Sequence, residues 1–208
     1  MRDRDLVRLY WPAELRPAFE ALFNLDEAMA DVVAQATQPA LGAIKLAWWR
    51  ERLEELDQGK VPAEPRLAAA AGELLPRRVS GKDLARLEEG WAELFQPRPD
   101  MAAVGRGGER LFAIGARLLR ASDPALAAAG RLYALQNVIS RQLIAETAKA
   151  PDLEEVAGHV FPKALRPLTA LAALAARDAK RGERREPEAT PGRALTLLRH
   201  RLTGRIRP

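Results

Sequence analysis

The chain has 208 residues, enough for one domain with a sizeable core or two small ones, and its 48% hydrophobic and 29% charged residues are an ordinary soluble globular balance. It contains no cysteine, which excludes disulfides, thiolate catalysis and cysteine-bound zinc and fits a reducing compartment. Its net charge of +5 is unevenly placed: residues 1–100 hold 14 basic against 18 acidic residues, and residues 101–208 hold 19 against 10.

Few Val or Ile residues and no period-two alternation are present, while Ala, Leu, Glu and Arg dominate, so an all-α chain is predicted. The opening MRDRDLVRLYWP mixes acids and bases and lacks the apolar run of a signal peptide. Helices are predicted over 13–36, 39–58, 64–76, 81–95, 106–120, 123–149, 162–181 and 190–203 within one domain spanning 1–208. Ser80 with Asp83, and Ser122 with Asp123 and Pro124, read as helix starts. The polar, Pro-containing stretch 181–192 reads as a loop. The longest strongly apolar run, PLTALAALAA, is about half the length of a membrane-spanning helix. A cytoplasmic protein, at most peripheral to the inner membrane, is the expectation.

Two stretches carry candidate chemistry. In LFNLDEAMADVV, Glu27 and Asp31 stand one helical turn apart with Asp26 beside them. Such a pair can share a Mg²⁺ that bridges to a diphosphate, or can form an ordinary solvated face. In QPALGAIKLAWWRERLEEL, Leu41, Ile44, Trp48, Leu53 and Leu56 recur at helical spacing and predict a buried stripe. Trp48 and Trp49 point about 100° apart, so one fills the core while the other packs at its edge or lines a cavity.

Other chemistries lack support. His159 and His200 sit in no metal-ligand spacing, no serine has a nucleophile-elbow setting, and GRGG at 105–108 lacks the Lys-Ser/Thr of a phosphate loop. The arginine-rich end has the charge for nucleic acid but no recognisable module, so no nucleic-acid partner is expected. Anionic lipid headgroups are the better match for ALTLLRHRLTGRIRP and the arginine before it, where Leu195, Leu197, Leu198, Leu202 and Ile206 are interleaved with Arg193, Arg199, Arg201, Arg205 and Arg207.

In chain order, YWPAELRPAFEALFNL, QPALGAIKLAWWRERLEEL, LEEGWAELF, RLFAIGARLL, AAGRLYALQNVISRQL and FPKALRPLTALAALA resemble the successive helices of the squalene/phytoene synthase family of head-to-head prenyl transferases. The resemblance implies a class I isoprenoid synthase-like helical bundle around a deep, mostly apolar cavity. It makes Trp48, Trp49 and Arg50 candidates for the cavity wall and rim. It also implies two aspartate pairs on facing helices that hold Mg²⁺ against a substrate diphosphate.

The sequence departs from that pattern. The first pair would fall near Ala30 and Ala34, with Glu27 and Asp31 a turn early. The second region, QNVISRQLIAETAKA, has no aspartate; Gln136, Asn137 and Arg141 are its nearest counterparts and Glu146 its sole carboxylate. The resemblance is thus to an aspartate-poor branch that includes an assembly factor for respiratory complex I. It implies a non-catalytic protein with no catalytic residue and no cofactor, Mg²⁺ entering only if activity survives. The implied partners are an isoprenoid or lipid ligand, an anionic membrane and a respiratory-complex subunit. The alternative is an active prenyl transferase acting on isoprenoid diphosphates.

Overall fold

The computed structural model describes residues 3–144 and 152–208. Among these residues every regular element is helical, and the one β-type pairing is an isolated bridge between Val160 and Arg205. The α-helices run in the order α1 (Asp3–Arg8), α2 (Arg16–Ala34), α3 (Pro39–Leu56), α4 (Pro65–Glu73), α5 (Gly81–Ala85), α6 (Glu88–Ala92), α7 (Met101–Leu119), α8 (Leu126–Ser140), α9 (Asp152–Val156), α10 (Arg166–Arg181) and α11 (Pro191–Thr203).

The middle of the bundle is α10, whose residues 168–176 are buried on every side. Its LTALAALAA sequence is apolar or small all round, as a helix surrounded by others must be. Helices α8 and α11 pack most extensively against it, and α1 and α7 also touch it. On α2 the buried face includes Phe19, Leu22, Met29 and Ala30. Trp11 stacks on Phe19 and Phe23 with centroids 5.2 and 5.8 Å away, which fixes the entry to α2. Helices α7 and α8 approach most closely at Gly108 and Gly130, where a Cβ on either would collide with the other's backbone carbonyl.

Several boundaries differ from expectation for local reasons. Ser80 does start a helix: its hydroxyl accepts from the Asp83 N–H while Asp83 reaches back to the Ser80 N–H. The predicted helix 81–95 is broken into α5, α6 and a 3₁₀ turn, Glu93–Phe95. The start expected at Asp123 moves to Leu126, because the Asp123 carboxylate is used in the preceding turn by the Ala125 N–H at 2.9 Å. The predicted continuation of this helix to residue 149 falls partly outside the described residues. Helices α1 and α9 carry too few turns to announce themselves by periodicity. Within 181–192 the chain makes a short 3₁₀ turn, Gly182–Arg184, before α11 begins.

The stripe predicted on α3 is corrected. Its buried face is Gly42, Leu46, Trp49, Leu53 and Leu56, whereas Leu41, Ile44 and Trp48 face solvent. The helix carries two apolar stripes, and the one holding Gly42 wins because Phe95 lies where a larger side chain would stand. At the arginine-rich end, Leu197 and Ile206 join the core while Leu195, Leu198 and Leu202 remain exposed.

Candidate functional site

A cavity of about 430 Å³ opens between α2, α8 and α10, with α1 and α11 closing one end. That is a common size for a small-molecule site. Its apolar wall is Phe23 with Leu171, Leu174 and Ala175 of α10. The remaining wall is charged, with six carboxylates (Asp3, Asp26, Glu27, Asp31, Asp178, Glu188) against three guanidiniums (Arg4, Arg141, Arg193).

The charges are paired across elements. On α2, Glu27 takes an ion pair at 3.0 Å from Arg4, whose other nitrogen donates to Asn24 at 2.5 Å. Arg141, just past α8, donates to Asp31 at 3.1 Å and lies 4.0 Å from Glu27. Its Nε donates to the Asn137 side chain at 3.0 Å, which aims the guanidinium across the cavity at α2. At the closed end Arg193 holds Asp178 at 2.5 and 2.9 Å and Asp3 at 2.7 Å. Burial alone would weaken the Arg193 charge, but these two carboxylates more than restore it and keep the guanidinium protonated.

Deeper in, Asp26 is buried and accepts from the indole N–H of Trp91 at 2.8 Å. Burial pushes its carboxyl up to about 6 despite that hydrogen bond. Burial likewise keeps the neighbouring Tyr133 hydroxyl neutral well above its ordinary range. A carboxyl raised toward neutrality and a neutral phenol therefore line the same cavity.

The structure brings Glu27, Asp31, Gln136, Asn137 and Arg141 to one cavity. Glu27 and Asp31 therefore reach it from the register one turn early, while Ala30 points into the core and Ala34 to solvent. Trp48, Trp49 and Arg50 are not part of its lining. Trp49 packs in the core at 7% exposure, Trp48 stands edge-on to it at 42% exposure, and Arg50 lies 3.7 Å from Glu88. This corrects the expectation of a cavity wall, because α3 turns its buried face toward α5 and α6. Glu146 lies outside the described residues.

Arg4, Tyr133 and Asp178 carry much of the site and were not singled out from the sequence, and Arg193 was named only with the basic end. A signal existed for Asp26, which stands on the apolar stripe Phe19, Leu22, Met29 of α2 where a carboxylate is out of place.

A Mg²⁺ cluster does not fit these side chains. Among the described residues no group of three or more His, Asp or Glu side chains is placed to hold a metal ion. Asp31 and Glu27 are turned onto Arg141 and Arg4, and the facing helix offers a guanidinium where a metal cluster needs oxygen ligands.

The family model described as Squalene/phytoene synthase matches residues 1–106, just over half of the chain. That span includes the acidic face of α2 and all of α3, and ends within α7. Comparison with curated proteins and with solved structures gives no match.

Proposed function

Because the chain belongs to the squalene/phytoene synthase family, we propose that it is a non-catalytic member whose cavity holds an uncharged isoprenoid or lipid. The observation that carries this reading is Arg141, 3.1 Å from Asp31 and 4.0 Å from Glu27. Ionising an allylic diphosphate requires cations that neutralise the leaving oxygens. A guanidinium held beside the acidic pair neutralises carboxylates that would otherwise ligate a Mg²⁺ bridging to a diphosphate. The excess of carboxylates over guanidiniums in the wall opposes a phosphate-bearing ligand further. Phe23 and the α10 wall supply apolar contact for a hydrocarbon, and Asp26 with Tyr133 supplies hydrogen-bonding groups at its depth.

Two measurements test this. Product analysis after long incubation with farnesyl or geranylgeranyl diphosphate and Mg²⁺ or Mn²⁺ is expected to show no turnover. Turnover abolished by Glu27→Ala or Asp31→Ala would restore the prenyl transferase reading. Titration of Mn²⁺ followed by electron paramagnetic resonance is expected to show no bound ion in the natural chain and at least tenfold tighter binding in Arg141→Asp. Equal binding in both would separate Arg141 from the metal question.

The membrane and the respiratory-complex subunit belong to the same proposal as partners. Among the described residues no helix is long and apolar enough to cross a membrane. Leu195, Leu198 and Leu202 form an exposed stripe on α11 beside Arg199, Arg205 and Arg207. That arrangement supports reversible contact with an anionic bilayer, measurable by vesicle co-sedimentation.

A further inference from the structure

A second depression, of about 1280 Å³, lies among the α2 entry, the turn after α4, the end of α7 and the approach to α10. It shares no lining residue with the internal cavity. It begins where the chain enters α2, whereas the cavity lining on α2 runs from Phe23 to Asp31. The charge here is reversed. Arg77, Arg78, Arg117, Arg120 and Lys163 line it, against one carboxylate, Glu14.

Two of the five cations are engaged within the protein: Arg77 pairs with Glu73 at 3.0 Å and Arg117 with Asp83 at 2.9 Å. Arg78, Arg120 and Lys163 are exposed and have no side-chain partner among the described residues. Three unneutralised cations in one concavity repel each other, and an anionic occupant relieves that repulsion.

The backbone gives an independent sign. Arg78 ends a 3₁₀ turn at φ 63° and Arg120 ends α7 at φ 52°, both left-handed. At such helix-terminal positions glycine is the residue without steric cost. Two arginines hold strained termini and deliver unpaired guanidiniums to the same groove. Of the four non-glycine residues with left-handed φ among the described residues, these two share one groove, the others being Gln142 and Ala189. Leu15 and Leu118 give the groove an apolar floor beneath the charges.

We propose that this groove is a binding site for a phosphoryl anion carrying two or more negative charges, gripped by Arg78, Arg120 and Lys163. Guanidiniums bind phosphate oxygens bidentately, and the lysine adds a point charge. The phosphoryl group belongs either to a soluble phosphate or to a lipid headgroup whose chains lie on the leucine floor. The inference stands apart from the function proposed for the internal cavity.

The test uses the full chain and two probes in isothermal titration calorimetry: inorganic diphosphate, and dihexanoyl phosphatidic acid below its micellar concentration. The Arg78→Gly/Arg120→Gly/Lys163→Gln variant places glycine where the backbone prefers it, so it folds at least as well as the natural chain. A Lys45→Gln/Lys60→Gln/Arg98→Gln variant removes three charges at exposed positions elsewhere. The expected result is saturable binding of at least one probe, weakened at least tenfold by the groove variant and less than twofold by the control. Binding of diphosphate assigns a soluble ligand, and binding of the lipid alone assigns a headgroup. Failure of both probes to bind, or equal weakening by both variants, overturns the proposal.

Discussion

Asp26 shows how a single side chain couples the cavity to pH. Its carboxyl titrates near 6 when folded and near 3.8 when exposed. The folded state therefore binds this proton more tightly, and the stabilisation it gives is fully present below about pH 4 and lost as pH rises through 6. His200 runs the other way. Buried against Thr169 at 2.9 Å, its imidazole is pushed down to about 4, so its contribution is full above about pH 6.5 and lost as pH falls. In the natural chain the two slopes oppose each other across the same window. Replacing Asp26 by Asn keeps an acceptor for Trp91 and removes the buried charge. Asp26→Asn is expected to be more stable by about 2 kcal/mol at pH 8, with the gain vanishing near pH 4. Denaturant unfolding at both pH values checks this, and equal stabilisation at both would disconnect the effect from ionisation. The carboxylates on α2 were legible as a one-turn pair. Their use was not, because Arg4 and Arg141 reach α2 from 23 and 110 residues away along the chain, which spacing within α2 does not reveal.

At the scale of elements, the long helices were readable from their spacing, while contacts between helices decided what the spacing could not. On α3 two apolar stripes compete in the sequence, and only the ring of Phe95 over Gly42 selects the inner one. Glycine identity is equally uninformative until neighbours are known. Gly130 faces the backbone of Gly108 at the α7–α8 crossing, whereas a Cβ on Gly72 in α4 would meet nothing within 4 Å. The same substitution should therefore have opposite signs. Gly130→Ala is expected to cost at least about 2 kcal/mol through forced separation of two helices. Gly72→Ala is expected to add about 0.5 kcal/mol through helix propensity and a stiffer unfolded chain. Thermal unfolding of the two variants side by side decides it, and a loss in both would mean that crowding is not the cause.

Over the whole molecule, charge is sorted by location in a way that the halves of the sequence only hinted at. Acids gather around the internal cavity, and unpaired bases sit in the second groove and on the outer face of α11. The α11 surface is expected to bring the protein to phosphatidylglycerol vesicles at low salt and release it at high salt. Co-sedimentation should fall when Arg199, Arg205 and Arg207 become Gln; binding to phosphatidylcholine of equal strength would show a solvated surface only. Arg193 was grouped by sequence with this basic end, yet it is buried and reaches back 190 residues to Asp3. That span has a consequence for the order of assembly. As the chain is made from its N-terminus, Asp3 and Asp178 wait without their common counter-ion until α11 arrives, and two carboxylates cannot be buried together uncompensated. Closing so long a loop costs more entropy than a local contact, so docking of α11 is expected to come late in folding and to complete the chamber, which pulsed hydrogen exchange would read as late protection of the α11 amides.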